Sequence, residues 1–454
     1  MHRSWLRLVL LVSLCLLAIP VLTSSPSEAG STEPFAWRQF EGTTIRVLLS
    51  KSAWQQIMTR HFPEFEQLTG IHLAIEVLPQ TELWDLLVKG LHEPGRVDVF
   101  MTVPGLDGLL FLRAGGIQPI NDYLKDPRIT SRQYDWEDFL PKTRAAMEID
   151  GTILGPPIMA ENLALLYRKD LFAKYQVAVP RTLDDLEAAA RFFHKKPMGP
   201  SGETGVGVVS RGQGVMATSL YAGVLHALGG SWLGGSHQPT IDGRQGLAAL
   251  GYLARLLGSY APPNISDFDW QEASKVFQEG KAAMYIEGSS IYPLIEQPET
   301  SHVAGKVGYA LFPAGPGGPG TTVPVKGLAI AKHSSHPEAA WLFLQWASGK
   351  DMVKQVLQRG ILVGRESAWE DRDVNWKVPP DLAQSFREAG RIGGVEWAPP
   401  MVAVTSAREV VGKAITAAIR GGDVPVAAAT AAQRLREILS TTEAQSGSSA
   451  RPIP

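Results

Sequence analysis

The chain lacks the residues that most catalytic and cross-linking chemistry requires. Its one cysteine, Cys15, lies inside an apolar leader. Without that leader there is no thiol, no disulfide and no thiolate metal site. No G-x-x-x-x-G-K-S/T occurs, so there is no P-loop. Gly315 to Gly320 is glycine-rich, but proline interrupts it and no helix follows at once, so it is not a dinucleotide loop. No serine stands in G-x-S-x-G, and no H-E-x-x-H is present. His333 and His336 are close together, but Pro337 marks the first turn of a helix there, so a metal site is not expected. Asp267, Asp269 and Glu272 lack the glycine of a calcium loop. Nor does one sign of charge dominate: the formal net charge is −2, which suggests neither nucleic acid nor an anionic membrane as a partner. No cofactor is implied.

What is present begins with export. Arg3 and Arg7 precede the apolar run Leu8 to Leu22, and Ser27-Glu28-Ala29 forms a small-x-small cleavage pattern. Residues 1–29 therefore read as a cleavable signal peptide, with retention as an anchor as the alternative. Leu14 before Cys15 is wrong for lipid attachment. The expected product is soluble, and periplasmic or extracellular. A chain of 454 residues exceeds one small domain, and two domains of about 200 residues are the prior. Thr44 to Leu49, His72 to Val77 and Val97 to Phe100 read as strands, with helices at Trp54 to Leu68 and Glu82 to Leu91 between them. This βαβαβ order predicts a parallel sheet. Twelve tryptophans and ten tyrosines supply flat faces that suit sugars, although most belong in a core of this size.

Trp270 to Ser290 (WQEASKVFQEGKAAMYIEGSS) is the most informative stretch. It reads as an amphipathic helix, a glycine stop at Gly280, a buried strand from Ala282 to Ile286, and a polar turn opening onto another helix. Such a turn presents hydroxyls and N–H groups at a strand's carboxyl end, where open α/β sheets bind ligands. Glu161 is the other notable carboxylate. It follows Gly155-Pro156-Pro157 and precedes the apolar strand Leu163 to Tyr167, where a charge has to be exposed or paired. A carboxylate accepts strong directional bonds from vicinal hydroxyls, and Asn162 beside it can donate and accept. A solvated loop is the plain alternative for Glu161, and an ordinary αβα unit with a serine N-cap is the alternative for Trp270 to Ser290.

At these residues the chain resembles the bacterial extracellular solute-binding proteins of family 1, the maltodextrin-binding type. Pro157 to Phe172 (PIMAENLALLYRKDLF) is similar to the family's first interdomain crossing, and Phe277 to Gly288 (FQEGKAAMYIEG) to its helix–strand motif. Gly327 to Trp346, ending in PEAAWLFLQW, is similar to its return segment, and the helices around Ile419-Arg420-Gly421-Gly422 fit as well. The resemblance covers nearly all of the chain after the leader. It implies a type II two-lobe α/β fold of the periplasmic-binding-protein kind, each lobe a doubly wound sheet flanked by helices, with a hinge between. The implied lobes are 30–158 plus 313–375, and 159–312 plus 376–440, followed by a disordered tail at 441–454.

The resemblance also implies a function: capture of a neutral sugar or polyol by lobe closure, and delivery to the permease subunits of an ABC importer, by a monomer without catalysis. Glu161 falls on the crossing Glu that contacts sugar. Ser52, Thr102 and Gly105 fall where maltodextrin binders often carry Asp, Trp and Asp, and Ser290 falls where they carry a stacking Trp. These departures argue for a smaller or more flexible ligand. Glu287, Ser289 and Ser290 become candidates for sugar hydroxyls, with Trp54, Tyr221, Trp232 and Trp397 as candidate aromatic faces. Other solutes remain open, among them a peptide or a phosphorylated polyol, for which Lys51 and Arg211 are the loop bases to watch. So do a sensor role and a glycoside hydrolase using Glu161 with a second carboxylate.

Overall fold

The computed structural model describes residues 35–446, apart from 92, 199–201, 372 and 374–376. The expected signal peptide and residues 447–454 lie outside the described residues.

Two sheets organise the chain. The first lobe is built on β1 (Thr44–Ser50), β2 (His72–Leu78), β3 (Val99–Thr102) and β4 (Ile117–Gln118), followed by a hairpin of β5 (Glu148–Ile149) and β6 (Thr152–Ile153). β1 pairs in parallel with both β2 and β3, as the βαβαβ pattern requires. Val47 and Leu49 of β1 and Val99 to Met101 of β3 are buried on both faces, the mark of a sheet covered by helices on each side. The helix expected over Trp54 to Leu68 is two helices, Ala53–Met58 and Phe62–Thr69. Pro63 explains the break, because it cannot donate to the preceding turn and fits only the start of a new helix.

The chain then passes between lobes. β7 (Pro157–Ala160) pairs with the first sheet, and β8 (Leu163–Arg168) with the second. Glu161 and Asn162 are the whole link. The second sheet has the order β11-β8-β10-β9, with β9 (Val206–Ser210), β10 (Ala282–Gly288) and β11 (Val307–Leu311). It is mixed, not uniformly doubly wound: β10 runs parallel to β9 but antiparallel to β8. The chain returns to the first sheet as β12 (Val325–Ala331), which pairs with β3, β4 and β7. Glu161 N–H donates to Pro324 O at 3.0 Å and Leu163 N–H to Thr322 O at 2.9 Å, so the outgoing and returning passages lie side by side.

The stretch Trp270 to Ser290 takes the form its pattern predicts. Helix Trp270–Gln278 begins with a capping box in which Asp269 and Glu272 each accept a backbone N–H. Gly280 stops it with φ 74°. β10 follows as the inner strand of the second sheet, fully buried from Ala282 to Glu287. The carboxyl-terminal helices differ from expectation in one respect. Helix Val424–Ser446 runs six residues into the stretch 441–446 expected to be a tail, the hydroxyls of Thr441 and Thr442 donating to carbonyls one turn earlier.

Candidate functional site

Glu161 and Ser290 meet where the link between lobes crosses the end of β10. Ser290 Oγ donates to Glu161 Oε2. Two backbone clamps hold this junction. Ser289 N–H donates to Asn162 O at 2.8 Å, and Asn162 N–H donates to Ser289 Oγ at 3.0 Å. Asn162 and Ser289 are themselves fully buried. They fix the two turns, and the Asn162 Oδ1 is left without a hydrogen-bond partner among the described residues. The polar turn after β10 still presents Ser290, which is exposed.

Glu287, one residue before the turn, is also buried, but it is paired. Arg211, just past the end of β9, donates from Nε to Glu287 Oε2 at 2.7 Å and from Nη2 to Oε1. Tyr285 Oη donates to Oε2 at 3.1 Å, and Gly288 N–H to Oε1 at 2.7 Å. The parallel register Tyr285↔Val209 and Ile286↔Ser210 brings the two residues side by side. Burial alone would lower the Arg211 guanidinium, but the facing Glu287 outweighs it and holds the cation charged. Glu161 is raised above the usual carboxylate range, first by burial and further by Glu287; Ser290, Arg211 and Lys326 oppose the shift.

The first lobe contributes Asp107, for which the sequence gives no motif. The turn Pro104–Gly108 follows β3 directly and carries Asp107 into the boundary. Thr102 Oγ1 donates to Asp107 Oδ1, and Val103 N–H to both oxygens at 3.1 and 3.2 Å. Thr102 is therefore buried, with its hydroxyl committed to Asp107. Burial pushes the Asp107 carboxyl up to about 7. The folded state thus holds this proton more tightly than the unfolded chain does. Stability from this group is greatest below pH 4 and is lost as pH rises to about 7. Asp107→Asn removes that loss. Its stability advantage over the wild type is expected to grow between pH 4 and 7, by a few kcal/mol on the order of magnitude of the shift, in urea titrations across pH.

Of the four candidate aromatics, three are packing residues. Trp54 is 1% exposed in the first lobe's core, and Tyr221 is 0% exposed. Trp232 is 5% exposed, lies 5.4 Å from the Tyr221 ring, and donates from Nε1 to Glu396 O at 2.9 Å. Their faces are covered by protein. Ser52 caps helix Ala53–Met58 by accepting from Gln55 N–H at 3.1 Å, so its oxygen serves the backbone. Trp397 is half-buried at the lobe boundary. The Arg408 guanidinium lies over its ring at 5.5 Å, and a Cβ on Gly105 of the first lobe would stand 2.5 Å from its Nε1. Gly105 is thus required for this approach of the lobes. A cavity of about 240 Å³ lies beside the contact, lined by Gly105, Leu109, Val395, Ala398 and Met401 among others. None of Glu161, Glu287, Arg211 or Lys326 lines it.

The arrangement is a lobe boundary furnished with charged hydrogen-bonding groups from both sheets and from the passages between them. A model of the bacterial extracellular solute-binding protein family matches residues 48–354. The chain belongs to that family. This solute-binding protein is 26% identical over 392 residues to the erythritol/L-threitol-binding protein of Mycolicibacterium smegmatis, covering 79% of this chain and 80% of that one. It is 26% identical over 295 residues to the mannitol-binding protein of Pseudomonas aeruginosa, 64% of each chain. A solute-binding protein of Agrobacterium radiobacter solved with ribitol superposes with a TM-score of 0.72 at 25% identity, covering 89% of this chain and all of that one. The maltose-bound Thermotoga maritima protein matches the fold with a TM-score of 0.69 at 22% identity, covering 87% of this chain and all of that one. The type II two-lobe fold expected from the resemblance is the one observed.

Proposed function

We propose that this solute-binding protein is an exported receptor that captures a small sugar or acyclic polyol between its lobes and delivers it to the permease of an ABC importer. One observation carries the reading: Glu161, Ser290, Glu287 and Arg211 converge at the lobe boundary as a hydrogen-bonded charged cluster. Such groups bind hydroxyls through charge-assisted bonds, the stronger kind. A single half-buried ring, Trp397, favours a short, flexible ligand over a long pyranose chain. The erythritol, mannitol and ribitol named for its relatives support the same class.

Hydrolysis by Glu161 with Glu287 as the second carboxylate is disfavoured, because a glycosidase needs two carboxylates free to act on the substrate and both Glu287 oxygens are already bonded to Arg211. The test is thermal unfolding of the protein with a panel of alditols, sugars, peptides and phosphorylated polyols. At a concentration one hundred times Kd, a bound ligand stabilises by about 2.7 kcal/mol, so a rise of several degrees is expected with at least one alditol or sugar. A rise only with peptides or phosphorylated compounds would contradict the proposal.

A further inference from the structure

Lys326 is a charged residue in the middle of an apolar strand, Val323-Pro324-Val325-Lys326-Gly327-Leu328. Strand pairing explains where it goes. β12 pairs with β3 through Gly327↔Thr102 and with β7 through Lys326↔Met159 and Val325↔Ala160. Lys326 therefore stands between the strand that leads to Asp107 and the strand that leads to Glu161. The register shifts between Lys326 and Gly327, and an irregularity of this kind re-aims a side chain out of the regular pleat. Among the described residues its ammonium has no hydrogen bond and no ion pair within 4.0 Å. Burial lowers its affinity for the proton, while Glu161 and Asp107 raise it. Lys326 thus feels a carboxylate on each side of it, Glu161 and Asp107.

An ammonium has three donors and no acceptor, whereas a carboxylate only accepts. Glu161 Oε2 is bonded to Ser290, and Oε1 has no donor among the described residues; Asp107 is held by Thr102 and Val103. Unused donors on β12 therefore stand between unused acceptor capacity at the ends of β3 and β7, and leaving buried polar groups unmatched is costly. A hydroxyl satisfies both kinds at once, because it donates one hydrogen and accepts through its oxygen.

We propose that Lys326 is a ligand-binding residue, its ammonium donating to both oxygens of a vicinal diol whose hydrogens pass to Glu161 and Asp107. This deepens the polyol reading and rests on it. The recognised feature is a pair of adjacent hydroxyls, present in alditols and absent from 1,4-butanediol. The alternative is that Lys326 is an electrostatic tie between lobes with no part in binding.

The two roles differ in sign. Lys326→Met is made in the mature chain and titrated calorimetrically with erythritol, L-threitol, ribitol and D-mannitol, alongside ligand-free thermal unfolding. The expected result is affinity at least a hundredfold weaker for the alditol that the wild type binds best, with a ligand-free Tm unchanged or higher. The wild type is expected not to bind 1,4-butanediol. If Lys326→Met does not fold, Lys326→Gln is judged on the same two readouts. Affinity within threefold of wild type overturns the role of Lys326 and leaves the polyol reading standing. A lowered ligand-free Tm with unchanged affinity for the folded fraction assigns Lys326 to the tie. If the wild type binds none of the four alditols and no sugar of the thermal-unfolding panel, the sugar or polyol reading and this inference fall together.

Discussion

Arg211→Met is expected to abolish measurable solute capture and to destabilise the fold by about 3 kcal/mol. Glu287 is only 5% exposed. The Arg211 guanidinium grips both oxygens of its carboxylate in the planar, forked geometry that only arginine provides. Methionine leaves the carboxylate buried with only Tyr285 Oη and Gly288 N–H. Breaking a buried pair from one side costs about 3 to 5 kcal/mol. The Arg211 side chain is 27% exposed, so water screens part of the loss and the low end applies. Function falls further than stability, because the Glu287 carboxylate is then free to turn and the charge balance around Glu161 changes. Arg211→Lys restores the charge but not the fork, and is expected to recover stability more than affinity. Urea unfolding and calorimetric titration of the three proteins separate the two effects.

The second large effect lies away from the ligand. Arg365→Met is expected to cost about 3 to 5 kcal/mol and to leave the affinity of the folded protein unchanged. Arg365 is fully buried in the first lobe. Its Nε donates to Ser348 O at 2.7 Å, Nη1 to Asp135 O at 2.9 Å and Asp138 Oδ2 at 3.1 Å, and Nη2 to Tyr134 O at 2.8 Å. The guanidinium also lies 3.9 Å from the centroid of the Phe139 ring. One side chain thus ties the loop Tyr134 to Phe139 to the segment around Ser348. Removing it takes this donor from three carbonyls and the cation from a carboxylate at once. Lysine cannot replace it, since a single ammonium cannot reach this planar set of acceptors. A lower urea midpoint with an unaltered Kd is the expected pair of results.

The two residues also show what can be read from sequence. Glu287 stands at the end of a buried strand, before glycine and serine, and that position together with the family resemblance makes it a candidate cleft group. Its partner cannot be named with the same ease. Arg211 is visible as a loop base, but only the parallel register of β9 and β10 sets it beside Glu287. Arg365 gives no signal, because its acceptors are mostly backbone carbonyls, which have no side-chain signature.

Asp107 and Lys326 follow the same pattern. Each is a lone charge beside or within an apolar run, which is a detectable anomaly, but which charges share a site depends on β12 returning between β3 and β7. The departures among the aromatics have a physical cause too. Trp54, Tyr221 and Trp232 stand at loop and helix-end positions, but a ring large enough to stack on a sugar is equally able to fill a core. Burial decides against them, and sequence position carries no information on the face a ring presents. For Asn162 and Ser289 the sequence points to the right neighbourhood but gives no sign of the backbone clamps between them. Each closes a turn, so that Glu161 and Ser290 can face the boundary.

The central claim is that the junction of Glu161, Ser290, Glu287 and Arg211 holds a polyhydroxylated solute between the lobes. A crystal structure with the best-binding alditol or sugar tests it most directly. The account predicts ligand oxygens within about 3 Å of Glu161 and of at least one group from each lobe. A ligand seated elsewhere, with Glu161 still bonded only to Ser290, would contradict it.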